Sequence, residues 1–426
     1  MKILPNLFPG LVIFALTACS GEQASSGPGQ SADGLAPGNR QAAGSISEPV
    51  SGVELGNFDN TVAPGDDFYR YVNGTWLAST EIPPDQSNYG AFSVLADEAE
   101  ANLRTIIEAA AAGDSAPGSD ARKVGDFFTS FMDEDSIDAL EAEPLAGMQS
   151  LIAGAASREE LLAVMAELNS IGVQLPVGLF IDVDQMQSDQ YITYINQSGL
   201  SLPDRDWYLS EGNPSHEQAR AAYRSYLGSI MALAGYERAD RVADSVFAIE
   251  NRIARGHWDR VQNRQRELTY NKMSLDELNE LSPAIDWELL LTSLGIDERT
   301  LIVRQPDFAA DLSAIWNDIP LQQWQDYMQF KLLDAYAPYL GQDFVSTQFD
   351  FTGRVLSGTE TMRERWKRGV DVVSRSLGEV LGRLYVQDHF QEQAKVRMDE
   401  LVENLRAAFR VGIDELPWMT AATKVQ

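Results

Sequence analysis

Residues 363–386, RERWKRGVDVVSRSLGEVLGRLYV, carry the clearest helical pattern in the chain. Their large apolar residues recur every three or four positions, which places them on one face of an α-helix, and we expect that face to be buried. A similar pattern starts at Met398, after a break at residues 388–391, and predicts a long helix that folds back antiparallel on the first. Thr420 is a predicted N-cap for a third helix, but only six residues follow it. Because an isolated helix needs about 12 residues to be stable, we expect the chain to be truncated at its C-terminal end.

The composition is that of a folded and strongly acidic protein. Hydrophobic residues make up 44% of the 426 residues, enough for a sizeable core. Lys and Arg total 33 against 63 Asp and Glu, so the net charge is −30. Such a charge repels nucleic acid and anionic lipid surfaces. We therefore expect no nucleic-acid partner and assign most of the acidic residues to a solvated surface.

The N-terminus has the pattern of a secretory signal. Lys2 precedes an apolar run at residues 7–16, and Leu16-Thr17-Ala18-Cys19 resembles the lipobox of bacterial lipoproteins. We predict a lipoprotein signal peptide at residues 1–18, acylation of Cys19, and a flexible Gly/Ser/Pro-rich linker at residues 19–52. The alternative is an ordinary signal peptide with an unmodified thiol. The predicted location is the bacterial cell envelope, periplasmic or outer-membrane, with a lipid anchor as the only contact with the membrane and the protein facing away from the cytoplasm.

Helical patterns dominate residues 53–426, which we predict to form one helical domain. Apolar residues at helical spacing follow Phe92, Asp120, Ser157, Ser215, Val242, Ser274 and Pro320. Only Val177–Val183 and Gln190–Ile195 are typical of strands, and they predict a single hairpin. Asn73-Gly74 predicts a turn within loops held to the core by aromatic residues. The predicted fold class is mainly α: a multi-helix lobe with one small β-hairpin.

Candidate catalytic and metal-binding residues are scarce. His216-Glu217-Gln218-Ala219-Arg220 begins like the zinc motif H-E-x-x-H, but Arg220 has no lone pair to offer a metal. We interpret His216 as a first-turn residue of a helix capped by Asn213. His257 and His389 lie far from it in sequence, and Cys19 lies outside the predicted fold. The sequence thus predicts no catalytic residue and no metal ligand in this chain.

A basic cluster stands out against the acidic background. It consists of Arg363, Arg365, Lys367 and Arg368. We predict that these residues pair with neighbouring carboxylates along a solvated face, and ligand binding is the alternative.

Several short motifs, which occur in the same order as in the family, resemble the N-terminal part of the neprilysin and endothelin-converting-enzyme family of zinc endopeptidases. They are PGDDFY at 64–69, NG at 73–74 with Trp76, IP at 82–83, YG at 89–90 with Phe92, Q-x-GL-x-LPDRDWY at 197–208, YNKM at 270–273, LSGT at 356–359, WKR at 366–368, GRLYV at 382–386, WM at 418–419 and ATK at 422–424. The resemblance implies a helical lobe that closes over a thermolysin-like catalytic domain, which this chain lacks.

The resemblance also implies a chemistry and a substrate. Family members cleave short peptides in an enclosed cavity with one zinc ion, held by an H-E-x-x-H motif and a downstream glutamate that are not found in this sequence. We therefore expect no cofactor in this chain and one zinc ion in the full-length family member. Mammalian neprilysin has an arginine before Tyr-Gly that holds a peptide's C-terminal carboxylate, and this chain has Asn88 there. Asn88 is our candidate substrate-binding residue, although a neutral amide cannot make the bidentate charged contact of an arginine.

Two hypotheses for function follow. In the first, the chain is the substrate-enclosing lobe of an envelope-anchored, neprilysin-like zinc metalloendopeptidase. It binds short peptides in a cavity shared with a catalytic domain and is inactive alone. In the second, it is a non-catalytic envelope lipoprotein that binds peptides or protein partners. In the first case we expect the outer flank of the lobe to expose apolar surface that is meant for the missing domain.

Overall fold

The computed structural model describes residues 53–426. The predicted signal peptide, the linker and Cys19 lie outside the described residues. The described residues divide into two compact units, with the boundary between Thr80 and Glu81. The prediction that residues 53–426 form one domain stays a prediction.

The first unit contains a helix where the sequence predicted loops. A 3₁₀ turn at Leu55–Asn57 is followed by α1 (Phe68–Ser79), which Asp67 caps by accepting a hydrogen bond from Arg70 N–H. The predicted turn at Asn73-Gly74 is wrong, because both residues lie inside α1. Asn73 Nδ2 donates to the Tyr69 carbonyl at 3.1 Å, within the helix. A Cβ at Gly74 would lie 2.5 Å from Asp59 Cβ. The glycine therefore allows α1 to pack closely against Asp59 and does not form a turn.

The second unit is mainly helical, which confirms the predicted fold class. Its helices are α2 (Ala91–Ala112), α3 (Asp120–Met132), α4 (Glu134–Leu140), α5 (Ala146–Gly154), α6 (Arg158–Ser170), α7 (Arg205–Leu209), α8 (Pro214–Leu233), α9 (Ala239–Gly256), α10 (Arg266–Thr269), α11 (Leu275–Leu281), α12 (Trp287–Ser293), α13 (Pro306–Asp318), α14 (Leu321–Tyr336), α15 (Gln342–Phe349), α16 (Arg365–His389), α17 (Glu392–Glu415) and α18 (Ala421–Val425). Short 3₁₀ turns and a π-helix at Asp350–Ser357 complete the helical part.

Polar caps set several helix boundaries as the sequence predicted. Ser274 and Glu277 form a complete capping box at α11. Asn213 caps α8, and its side chain accepts from the N–H groups of Ser215 and His216. At α6 the predicted box is incomplete, because Glu160 accepts from Ala156 N–H instead of from the N-cap residue.

A four-stranded sheet contains the predicted hairpin. Strands β1 (Val177–Asp184) and β2 (Gln187–Gln197) pair antiparallel, which confirms the hairpin. Two strands that the sequence did not predict, β3 (Lys272–Ser274) and β4 (Thr300–Val303), extend it in the order β1-β2-β4-β3. β4 runs parallel to β2 and antiparallel to β3. The expectation that the hairpin held the only strands is therefore wrong.

Two hydrophobic clusters organise the helices. The larger one is centred on fully buried aromatic residues of α12, α13 and α14, with Trp287, Trp316 and Trp324 among them. The smaller one joins α2, α3 and α16 through Ile107, Val124, Phe128, Val370, Val373 and Leu381. A Cβ at Gly369 would lie 2.7 Å from Phe128 Cε2, so this glycine permits the close approach of α16 to α3. The predicted buried face of α16 is confirmed.

The packing of α17 differs from its prediction. Its limits agree with the sequence pattern, and Thr420 caps α18 as predicted by accepting from Thr423 N–H. However, α17 contains no buried residue, and Met398, Leu401 and Leu405 are about half exposed. The prediction that α17 buries its apolar face against α16 is wrong. The separate expectation of exposed apolar surface agrees with this helix.

Candidate functional site

Asn88, the candidate substrate-binding residue, lines a pocket of about 440 Å³. Two segments distant in sequence form its walls, residues 85–88 and residues 357–363, together with Phe349 and Arg368. The first segment directly precedes the Tyr89-Gly90 motif, and the second contains part of the LSGT motif. The pocket therefore lies next to two of the motifs that carry the family resemblance.

Backbone hydrogen bonds hold the two walls together. The N–H groups of Glu360 and Thr361 both donate to the Pro84 carbonyl, at 2.9 and 3.0 Å. Gly358 makes this turn possible, because it lies at φ +72°, in the left-handed region that favours glycine. On the other side, the Tyr89 hydroxyl donates to Asp97 of α2 at 3.2 Å. The position of Asn88 is thus fixed by contacts on both sides of its loop.

The Asn88 side chain itself makes little use of its hydrogen-bonding capacity. It is exposed, and its one side-chain hydrogen bond within the described residues, from Nδ2 to Ser87 Oγ, is long at 3.5 Å. Its carbonyl oxygen and amide are therefore available to a ligand.

Three of the four residues of the basic cluster are paired with carboxylates, as predicted, but the face on which they lie is partly buried and not fully solvated. Arg363 bonds to Glu100 and Asp371, and Lys367 Nζ lies 3.0 Å from Asp85 Oδ2. Arg365 Nε donates to the Phe131 carbonyl at 3.0 Å and lies 3.5 Å from Glu134.

These contacts shift two pKa values in the cluster. Burial raises the pKa of Glu100, and this effect outweighs the nearby Arg363. The hydrogen bond to Asp85 raises the pKa of Lys367.

Arg368 does not follow the pairing prediction. Its Nε and Nη1 atoms are inaccessible to solvent, and no residue in the part of the chain that the structure describes hydrogen bonds to them. Burial lowers the pKa of Arg368, and the neighbouring Arg365 lowers it further. Nothing in the sequence distinguishes Arg368 from the other three residues of the cluster.

The longest family motif, residues 197–208, lies outside the Asn88 pocket, and its polar side chains hydrogen bond within the protein. It borders a second pocket of about 300 Å³ together with residues 257–263. Behind it, the Glu250 carboxylate accepts from the hydroxyls of Ser201, Tyr208 and Tyr223 at 2.7–2.8 Å. The motif is therefore explained by packing and buried hydrogen bonds.

A larger hollow of about 1050 Å³ lies between α5, α9 and α14. None of the residues that carry the family resemblance lines it. We therefore place the candidate site at Asn88.

The three histidines occupy separate structural positions. His216 stacks on Trp207 with 4.5 Å between ring centroids, and His389 lies beside Tyr385. His257 is buried, which lowers its pKa to about 4, and its Nε2 lies 3.1 Å from the Ser198 carbonyl.

The described residues also offer no alternative metal site. Within residues 53–426, no group of three or more His, Cys, Asp and Glu side chains is placed to hold a metal ion. The described residues therefore do not fit a zinc ion.

Comparison with known proteins settles the family. The sequence model of Peptidase family M13 matches residues 64–426. The chain belongs to peptidase family M13. This confirms the resemblance to the N-terminal part of the neprilysin and endothelin-converting-enzyme family.

Relatives of this M13 chain include two mammalian proteins of similar identity. Mouse endothelin-converting enzyme-like 1 is 27% identical over 86% of the chain and 49% of its own length. Human membrane metallo-endopeptidase-like 1 is 28% identical over 87% of the chain and 50% of its own length. The M13 chain thus spans about half the length of the curated relatives it matches.

Solved structures agree with the M13 assignment. Mycobacterium tuberculosis zinc metalloprotease Zmp1, in complex with an inhibitor, is 36% identical, with a TM-score of 0.80 over 88% of this chain and 57% of Zmp1. PepO from Lactobacillus rhamnosis shares the fold at 20% identity, with a TM-score of 0.72 over 85% of this chain and 57% of PepO. Across residues 53–426 of the M13 chain, none of the helices has the length and apolar character of a membrane span.

Proposed function

We propose that this M13 chain forms the substrate-enclosing lobe of a neprilysin-like zinc metalloendopeptidase that acts on short peptides. The observation that carries the proposal is the match of residues 64–426 to the family together with the pocket at Asn88. The names of its relatives, which include a zinc metalloprotease and a metallo-endopeptidase-like protein, support the reaction class.

The proposal places the zinc ion and the catalytic glutamate outside residues 53–426. Two observations support this placement. No group of His, Cys, Asp and Glu side chains within residues 53–426 is arranged to hold a metal ion, and the chain spans about half the length of its curated relatives. Zinc would supply Lewis-acid activation of the peptide carbonyl and of a water molecule. The role of this chain would be to bind and orient the peptide and to exclude folded proteins from the site.

The exposed face of α17 is the proposed contact with the catalytic part. Met398, Leu401, Leu405 and Phe409 present apolar side chains that are 49–68% exposed. A row of large apolar residues on one helix is typical of a protein–protein or interdomain contact.

We also propose that acylation of Cys19 anchors the protein in the bacterial cell envelope, facing away from the cytoplasm. The support is the Leu-Thr-Ala-Cys sequence at residues 16–19. A lipid-labelling experiment in a bacterial host tests it directly. Label should appear in the parent chain and be absent from the Cys19→Ser variant, and label in both would reject the anchor.

Complementation tests the enzymatic role. The purified chain alone should contain much less than one zinc per molecule and cleave no peptide. When it is combined with the part of Zmp1 that it does not match, chelator-sensitive cleavage of a short peptide should appear, and the same peptide within a folded protein should resist. A chain that holds one tight zinc and cleaves peptides by itself would contradict the proposal.

A further inference from the structure

The hollow of about 1050 Å³ between α5, α9 and α14 has no part in the proposed function. Sites for small molecules have volumes of roughly 300–1,000 Å³, so the hollow has room for a ligand of more than one ring. Behind its walls, the same three helices bury Ile152, Val246 and Trp324 in the larger hydrophobic cluster. A packed core therefore supports the shape of the hollow.

The lining of the hollow is mainly polar. It combines four charged side chains with glutamines and serines. In the described part of the chain, no Leu, Ile, Met, Phe or Trp side chain lines it, and its one aromatic side chain is the half-buried Tyr236. An acyl chain or another apolar ligand would cover these polar groups without offering them hydrogen bonds, which is costly. The lining therefore favours a polar ligand.

Several donors in the lining are both accessible and unused. Arg238 and Arg241 are exposed, and neither side chain forms a hydrogen bond or an ion pair with another residue in the described range. The exposed Gln323 amide and the Tyr236 hydroxyl are likewise without a partner among residues 53–426. Burial raises the pKa of Tyr236 to about 12, so its hydroxyl keeps its proton at neutral pH. A ligand in the hollow can therefore accept hydrogen bonds from more than one side.

The charges in the lining cancel, and acceptors are available as well as donors. Arg238 and Arg241 are balanced by Glu237 and Asp326. Burial raises the pKa of Asp326, and Arg241 acts against this effect through space. Asp326 Oδ1 accepts from Gln322 Nε2 at 3.0 Å, whereas Oδ2 has no donor within the described residues. A phosphate would meet these carboxylates as well as the arginines, so a neutral ligand is favoured over an anion.

Hydroxyl groups are the ligand chemistry that matches this lining. One hydroxyl both donates and accepts, so neighbouring hydroxyls can bond to a guanidinium or amide and to a carboxylate at the same time. A sugar ring carries such hydroxyls around an apolar face. The ring of Tyr236 offers a flat surface against which that face can pack.

We propose that this hollow binds a neutral saccharide, with Arg241 and Gln323 as donors and Asp326 as an acceptor. The inference goes beyond the proposed function and is independent of it. No residue that lines the Asn88 pocket lines the hollow, and the saccharide takes no part in peptide cleavage.

Calorimetric titration of the full chain with three neutral trisaccharides tests the inference. Maltotriose, cellotriose and tri-N-acetylchitotriose differ in their linkage and in their acetamido groups, and inorganic phosphate is the anionic probe. At least one trisaccharide should bind to a single site with a Kd below about 1 mM, and phosphate at the same concentration should not compete with it.

Two matched double variants locate the binding site. Arg241→Ala/Gln323→Ala removes two exposed side chains of the hollow that have no partner in the described structure, so the fold should be retained. Its affinity for the saccharide should fall roughly tenfold, because two hydrogen bonds are lost. Arg264→Ala/Gln265→Ala removes the same residue types at exposed positions outside the hollow and should bind like the parent chain. Thermal unfolding of both variants reports whether they are folded.

Three outcomes would overturn the inference. If none of the trisaccharides binds to the parent chain, the hollow is not a saccharide site. If phosphate displaces the bound sugar, the ligand class is wrong. If the two double variants bind the sugar equally, it is bound elsewhere. None of these results bears on the complementation experiment with Zmp1, so a failure of the proposed function would be seen separately.

Discussion

Lys331 Nζ lies 3.7 Å from Glu250 Oε1, with the two side chains 4% and 0% exposed. Lys331 also donates to Ser201 Oγ at 2.9 Å, and Ser201 in turn donates to Glu250. This pair belongs to the buried network in which Ser201 and Tyr208, both within residues 197–208, hydrogen bond to Glu250.

We predict that Lys331→Met destabilises the protein by about 3–5 kcal/mol, because the substitution leaves a buried carboxylate without its counter-ion. Urea unfolding at neutral pH measures this change. The double variant Lys331→Met/Glu250→Gln should recover a large part of the loss. As a control, Arg224→Gln removes an exposed partner of Asp244 and should cost less than about 1 kcal/mol.

The cost of Lys331→Met should also depend on pH. Burial raises the pKa of Glu250 above its ordinary 4.5, so between pH 4.5 and the folded-state pKa the folded state holds a proton that the unfolded state has released. The resulting stabilisation is fully present below pH 4.5 and is lost as pH rises through the folded-state pKa. Removing Lys331 raises that pKa further, so the variant's deficit should shrink at acid pH. An equal deficit at about pH 4 and about pH 7 would contradict this explanation.

A second pH prediction concerns Asp184 at the end of β1. The side chain of Asp184 is 1% exposed and accepts from Lys272 Nζ and the Tyr270 hydroxyl, both at 2.8 Å. The hydrogen bond from Lys272 is the main cause that lowers the pKa of Asp184 from 3.8 to about 2. Its contribution to stability is therefore present above pH 3.8 and lost as pH falls through about 2. In Lys272→Met, the free energy of unfolding should depend much less on pH between 3.8 and about 2, which chemical unfolding at several pH values measures. If the free energy of the variant falls over this range as steeply as that of the parent chain, Lys272 is not the cause of the lowered pKa of Asp184.

Gly199 provides a prediction about backbone conformation. It lies at φ +95°, and a Cβ there would meet Pro176 Cα at 2.8 Å and the Tyr327 hydroxyl at 2.9 Å. Gly212 is the matched control, because it lies at φ +73° and a Cβ there would meet nothing within 4 Å. Gly212→Ala should cost about 1–2 kcal/mol for the left-handed conformation alone. Gly199→Ala should cost clearly more in the same denaturant titration, and equal costs would show that the contacts at Gly199 relax freely.

The apolar face of α17 yields a prediction about solubility. Leu401→Gln/Leu405→Gln should lower the fluorescence of a bound hydrophobic dye roughly twofold, because both side chains are half exposed. The stability should change by no more than about 0.5 kcal/mol per residue, as expected at exposed positions. Leu381→Gln, at a buried position of α16, should instead destabilise by about 3 kcal/mol. Unchanged dye binding in the α17 variant would show that the dye detects another surface.

Most helices could be predicted because their apolar residues follow one period and polar caps mark their starts, as at Asn213 and Ser274. Strands β3 and β4 could not, because they are three and four residues long and depend on pairing with distant partners. Asn73-Gly74 was misinterpreted because a glycine needed for close packing has the same local pattern as a turn.

The candidate site was only partly predictable. The family motif that follows Asn88 drew attention to this residue, which lines a pocket, and its role in substrate binding stays a prediction. Helical spacing offers Arg368 two apparent partners, Glu364 and Asp371. Only the structure shows that Trp366 and Arg363 occupy them. Competition among nearby charged groups depends on side-chain positions that spacing does not determine.

The parallel pairing of β2 with β4 imposes an order on folding during synthesis. The hairpin of β1 and β2 closes through local contacts, whereas Thr193 finds its partner Leu301 only after roughly 100 more residues have been made. One edge of β2 therefore stays without backbone partners while α7–α12 are being translated. A ribosome that pauses in that interval would leave an aggregation-prone strand exposed, and a chaperone that binds extended segments would act at this stage.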